Sequence, residues 1–205
     1  MTIKVPHRPR TQSDRRAQTR KALFDATFEV LLDNGYDGCS LANVAKRAGL
    51  TTGAVQHHFK TKAQLMLAVV EEQIFNINDA KAFDTTEGAT LTARCRHLVD
   101  EQWRYYGNPK YLTIWTIILG GRSNPELMSK ITGWQQEAIL RHEVVIKKLF
   151  AEHNLKPKQI RAIQYFVNAQ LRGLSLLQTV DTDPRIIDAQ LKMLVNLLEA
   201  HVTAA

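Results

Sequence analysis

Apolar residues recur along this chain at intervals of three and four, and hardly any run alternates apolar with polar as a half-buried strand would. The pattern predicts helices almost throughout. From about Asp14 to Asn34 one helix places Phe24, Thr27, Phe28 and Leu31 on a face that Leu23 and Val30 widen, and Gly35 ends it in a DNGYDG turn under which Tyr36 can pack. Ser40 then caps a short helix with Leu41, Val44, Ala45 and Ala48 on one face. Gly49 follows, where a chain leaving a helix most easily turns left-handed, and Leu50 can plug the turn. Thr51 caps a second short helix, in which Ala54, Val55, His58 and Phe59 fall toward the first while Thr52, Gly53, Gln56 and His57 point outward. Thr61 caps a connecting helix from about Lys62 to Ala80.

Downstream, a loop through DTTEG leads to a helix from about Ala89 to Tyr106, and Asn108-Pro109 starts an apolar one that stops at Gly120-Gly121. Pro125 opens a long helix ending near Asn154, Pro157 one reaching about Val180, and Asp183-Pro184 the last. That last helix carries two apolar stripes, Ile187, Leu191, Leu194 and Leu198 in one and Ile186, Met193 and Leu197 in the other, about 100° apart. One covered side needs a single stripe. The wider arc points to burial against both its own domain and a second copy, to which the preceding helix adds Ile163, Val167, Leu171, Leu174 and Leu177, with Gly173 and Ser175 allowing close approach. A monomer with a deeply buried final helix is the alternative.

Charge changes this picture most in the first third. The 205 residues carry a net charge of +7 with 44% hydrophobic content, which suits one or two domains with a substantial core. Residues 1–62 hold eleven Lys or Arg against five acids, so +6 of the excess lies there. Such local basicity is what a polyanion-binding face requires. The opening MTIKVPHRPRTQ reads as a flexible basic arm, 1–13, free in solution or lying along phosphates. It has no hydrophobic signal core, and no apolar stretch approaches the ~20 residues that span a bilayer. Cys39 and Cys95 make no disulfide framework. A cytoplasmic protein is expected.

The outward residues of the second short helix are small or hydrogen-bonding and never acidic, so it can approach a major groove without repulsion. Gln56 carries the amide that pairs with an adenine edge. Lys46, Arg47, Lys60 and Lys62 flank it where phosphates would run, and Thr51 adds a hydroxyl and a helix N-terminus. A helix–Gly–helix pattern alone also fits an ordinary hairpin with a solvated face. Catalysis finds little support: Cys95 and His97 diverge on their helix, as do His57 and His58, and no HExxH, phosphate loop or nucleophile elbow is present. No metal or cofactor is implied. Trp103, Tyr106, Tyr111, Trp115 and Trp134 gather in sequence around the Gly-Gly break and, unless they are ordinary core aromatics, suggest a pocket for an apolar or aromatic ligand with a polar handle, which His97, Asn168 and Arg172 could meet.

From about Arg15 to Leu67, through RKALFDATFEVLLDNGYDGCS, LANVAKRAGLTTGAVQHHF and FKTKAQLMLAVV, the chain resembles the N-terminal domain of the TetR family of transcriptional regulators. The resemblance implies an all-α fold. It expects a three-helix helix-turn-helix DNA-binding domain over 14–62 and a helical effector-binding and dimerisation domain over 63–205. It implies contacts to double-stranded DNA at Thr51, Thr52, Gly53, Gln56, His57 and Lys62, a homodimer through the last two helices, and an effector held between the middle helices. Members commonly carry Tyr at the position of Gln56, so here an amide replaces that ring. The function implied is repression of a palindromic operator, relieved when a ligand wedges the helix beginning near Lys62. The alternative is a helix-turn-helix protein that organises DNA with little sequence preference and no effector.

Overall fold

Periodicity becomes helix in every regular element that the computed structural model describes, over residues 11–76, 88–180 and 183–204. Most of the arm, the DTTEG loop up to Glu87 and the end of the connecting helix lie outside these residues. In order the elements are α1 (Gln12–Gly38), α2 (Leu41–Arg47), α3 (Thr52–His58), α4 (Lys62–Asn76), α5 (Leu91–Tyr106), α6 (Pro109–Gly120), α7 (Pro125–Leu149), a 3-10 turn (Ala151–His153), α8 (Pro157–Leu177) and α9 (Pro184–Thr203). Two compact units divide between Val69 and Val70, inside α4 rather than at its start.

In the first unit, Thr11 and Asp14 close a capping box that starts α1. Gly35, at φ 65° and ψ −172°, breaks the helical geometry where the turn was expected, and one further turn follows to Gly38. Leu23, Phe24, Thr27, Phe28, Val30 and Leu31 of α1 are buried, as the periodicity requires, with Val44 and Ala45 of α2 and Val55 of α3. The Phe24 and Phe59 rings meet at a centroid distance of 6.1 Å.

The α2–α3 turn depends on Gly49, whose φ of +67° is open to glycine and strained for an L side chain. A Cβ there would meet nothing within 4 Å, so the cost of a substitution is in the backbone alone. Gly49→Ala is expected to destabilise this unit by about 1–2 kcal/mol. Chemical denaturation followed by far-ultraviolet circular dichroism measures it; an unmoved first transition would contradict the strain argument.

In the second unit α8 touches α5, α6, α7 and α9. Its Ile163, Val167, Leu171 and Leu174 are buried, along with Ile187, Leu194 and Leu198 of α9, whose Ile186, Met193 and Leu197 stay exposed. Asn108, Asn124 and Asp183 cap α6, α7 and α9, each ahead of a proline in the first turn. Among the described residues, no helix is long and apolar enough to cross a membrane.

Candidate functional site

Two short helices aim the outward face of α3. The Ser40 hydroxyl accepts from the Asn43 amide at 3.1 Å and the Thr51 hydroxyl from the Ala54 amide at 3.1 Å, which starts each helix on a fixed residue. Val55, fully buried, and Phe59 anchor α3 from behind. With those two fixed, the 3.6-residue period leaves Thr51, Thr52, Gly53, Gln56 and His57 exposed, and all five are so. No acid lies between Ser40 and Lys62, and a shape of this size with exposed amide, hydroxyl and imidazole groups fits a major groove.

The basic surroundings differ from what the sequence suggested. Arg47 is clasped by Glu29 at 3.0 Å and Asp33 at 2.6 Å, so its charge is answered within the unit rather than offered to phosphate. Lys62 is half-buried, its ammonium donating to the Tyr36 carbonyl and sitting 4.0 Å from the Tyr36 ring centroid. It retains two protons for other acceptors. Lys46 and Lys60 remain exposed. Arg20, whose guanidinium lies 4.9 Å from the Phe24 centroid and 5.9 Å from that of Phe59, is a further cation near the C-terminal end of α3. Burial chiefly, then His57, Arg16 and Arg20, holds the His58 pKa below its usual value. The sequence signal for Arg16 and Arg20 was their spacing of four, one turn apart on α1.

A cavity of about 210 Å³ opens in the second unit. Tyr105 and Tyr106 of α5, Tyr111, Ile114, Trp115 and Ile118 of α6, a stripe of α7 from Ile131 to His142, and Gln164, Tyr165, Asn168 and Arg172 of α8 wall it. The tyrosine rings of 105, 106 and 111 pack edge to face at 4.8–5.2 Å, and the Trp115 indole N–H donates to the Tyr111 hydroxyl at 2.8 Å. Burial pushes the Tyr111 phenol up to about 12 and, with Arg141 and Arg172 adding to it, pushes the His142 imidazole down to about 4, so both are neutral at pH 7.

Comparison with known proteins bears on both sites. Over 171 residues the chain is 24% identical to the HTH-type transcriptional regulator CymR of Pseudomonas putida, covering 82% of each chain. A transcriptional regulator from Rhodococcus shares the fold at a TM-score of 0.68, with 16% identity and coverage of 87% of this chain and 95% of that one. The regulator FadR from Bacillus subtilis, solved with stearoyl-CoA, does so at 0.63, with 18% identity and coverage of 89% and 96%. Residues 23–69, which hold the α2–α3 pair, match the family model of the bacterial regulatory proteins, tetR family. This stretch belongs to the TetR family. The chain is a DNA-binding transcriptional regulator.

In the second unit, the cavity gathers Tyr106, Tyr111, Trp115, Asn168 and Arg172 and leaves His97, Trp103 and Trp134 outside its lining. Helix phase and local packing explain where these three lie. On α7 the lining positions Ile131, Gln135, Ala138 and His142 fall within about 60° of one another, and Trp134 lies about 60° to the other side of Ile131. His97 lies two and a half turns from Tyr106, about 13 Å along α5 and on the opposite side. The Trp103 indole packs against Gly107, where a Cβ would sit 2.7 Å from its Cε2. The sequence reading missed Gln164 and His142, each a polar residue set among apolar positions of a buried helical face.

Gln164 is 1% exposed, yet neither its amide oxygen nor its nitrogen has a partner; the Asn168 amide oxygen and the Arg172 Nε are likewise buried and unpaired. Each such group costs about 1–3 kcal/mol of lost hydration unless something fills the space. No Asp or Glu among the described residues pairs with Arg172; its neighbours are the uncharged phenols of Tyr106, Tyr111 and Tyr105, and its guanidinium lies 5.9 Å from the Tyr106 and 5.7 Å from the Trp115 ring centroid.

Proposed function

We propose that this regulator is a TetR-family repressor that reads a palindromic operator as a dimer and is released by a small molecule in the α5–α8 cavity. The observation that carries the reading is the α3 tip, where Thr51, Thr52, Gly53, Gln56 and His57 stand exposed on a helix locked from behind by Val55. Residues 14–62 serve DNA, with Lys62 at their edge, and 63–205 serve the effector and dimerisation. The setting is the cytoplasm, where operator and effector meet.

Two-fold pairing sets the half-sites about one DNA turn, ~34–36 Å, apart and squares the selectivity of one short helix. The exposed apolar arcs of α8 and α9 are the pairing surface. Tyr106, Tyr111, Trp115, Asn168 and Arg172 hold the effector, whose binding needs to shift the reading geometry by only ~1–3 kcal/mol per site to change operator affinity 5- to 150-fold.

Selection of bound duplexes from random DNA tests the operator's symmetry; an asymmetric consensus opposes paired reading. Against the selected site, Gln56→Ala should cost about 1–3 kcal/mol and relax base choice at one position in each half-site. Equal losses on every sequence would remove Gln56 from base reading. Lys60→Gln should instead weaken all duplexes alike and lower the salt slope by about one. A slope left unchanged in mobility-shift titrations takes Lys60 off the phosphates.

A further inference from the structure

We infer that the effector is a hydroxylated aromatic monocarboxylate, its carboxylate held by Arg172 and its hydroxyl by the amides of Gln164 and Asn168. The inference rests on reading the α5–α8 cavity as the effector site, and it names the chemistry of the ligand. Gln164, Asn168 and Arg172 stand one turn apart on α8 and all line the cavity, so three polar groups run down one wall of a chamber whose other walls are mostly aromatic and aliphatic, with Gln135 and His142 of α7 the exceptions. A guanidinium removed from water without a carboxylate partner is costly, and an anion delivered by the ligand supplies the missing charge with a geometry that suits the fork.

The count of charges limits that anion to one. His142 is neutral at pH 7, which leaves Arg172 as the cavity's single formal charge. Hydrogen-bonding capacity adds the hydroxyl. A carboxylate accepts and never donates, so it answers the unpaired Arg172 Nε but leaves the Asn168 oxygen, one turn away, wanting a donor and the Gln164 nitrogen wanting an acceptor. A hydroxyl across the ring from the acid provides both.

Size fixes the body. A cavity of about 150 Å³ is known to accept benzene, so the 210 Å³ here has room for one ring with a few substituent atoms. The Tyr106 and Trp115 faces and Ile114, Ile118 and Ile131 suit a flat apolar ring.

Titration calorimetry on the full chain separates these requirements. 4-Hydroxybenzoate should bind about 10- to 100-fold more tightly than 4-hydroxybenzamide, which keeps the shape and loses the charge, and more tightly than benzoate or palmitate. Arg172→Met should abolish the preference for acid over amide while still binding the amide, which shows that the variant is folded; Gln164→Leu should erase the preference for the hydroxyl alone. Equal affinity for acid and amide, tighter binding of palmitate, no binding of any ring acid, or an acid preference that survives in Arg172→Met each overturns the inference. Operator mobility shifts distinguish the two readings. An uncharged compound that fills the cavity and releases DNA overturns the carboxylate and leaves the repressor standing, whereas an acid that binds as described without altering operator affinity supports the carboxylate and removes ligand relief.

Discussion

Glutamate at both Met193 and Leu197 should convert the regulator from a dimer to single protomers of 23.3 kDa and remove operator binding at concentrations where the unaltered protein is saturated. Within one protomer these side chains are 56% and 52% exposed, and Tyr165, Phe166, Leu176 and Leu177 of α8 are also bare. Such an apolar expanse is larger than a solitary soluble surface needs. A shallow cleft between Phe166, Leu197 and His201 gives it relief into which a second copy can pack. Fully covering a Leu or Met contributes about 1.5–3 kcal/mol, about half of which remains to be gained at these half-exposed positions, and two-fold symmetry counts each position twice, so losing four such contacts removes about 3–6 kcal/mol before the cost of burying charge. Association would weaken by at least about 10²-fold. A lone protomer then holds one half-site, with too little discrimination against competing DNA.

Because both positions face solvent in the protomer, its helix content and melting should change little, so lost association is separable from lost folding. Sedimentation at micromolar concentration reads the assembly, and a mobility shift the DNA. A variant that sediments as a dimer would place the pairing surface elsewhere on the molecule.

The architecture was legible because its causes are local. Ser40, Thr51, Asn108 and Asp183 cap helices by contacts to residues two or three positions on, and Gly49 turns left-handed for want of a Cβ, so the elements around the α2–α3 tip could be placed from spacing alone. The second apolar stripe of α9 was equally readable, since phase on a single helix decides it. What was not legible depends on partners distant in sequence. Arg47 reads as a free cation until Glu29 and Asp33, eighteen and fourteen residues earlier, are folded against it, and Lys62 until Tyr36 is beneath it. In the cavity, clustering of aromatics along the chain suggested the right helices but not the right sides of them: Trp134 and Ile131 differ by three positions, and only the packing of α7 against α8 decides which faces inward. The buried and unpaired state of Gln164 is a property of the assembled chamber.

Acid should weaken the second unit by about 3 kcal/mol between pH 6.5 and pH 4, with His142 the cause. Its imidazole is 8% exposed, and burial first, then the charges of Arg141 and Arg172, lowers its pKa from 6.5 to about 4. Between those values the unfolded chain takes up a proton that the folded protein refuses. The stability is therefore whole above pH 6.5, declines as the pH falls, and stops declining on this account below about 4. All three tryptophans, Trp103, Trp115 and Trp134, belong to the second unit, so their fluorescence in urea follows its unfolding without interference from the DNA-reading unit. Other groups titrate in acid as well, which makes the comparison with His142→Leu the decisive one: the leucine variant should lack the part of the slope between pH 4 and 6.5 and keep the rest. An aromatic acid bound at Arg172 would neutralise one of the two cations that disfavour the imidazolium, so saturating 4-hydroxybenzoate should shrink the same slope. Parallel pH profiles for the two proteins would mean that His142 meets water or an acceptor in the folded chain and keeps an ordinary pKa.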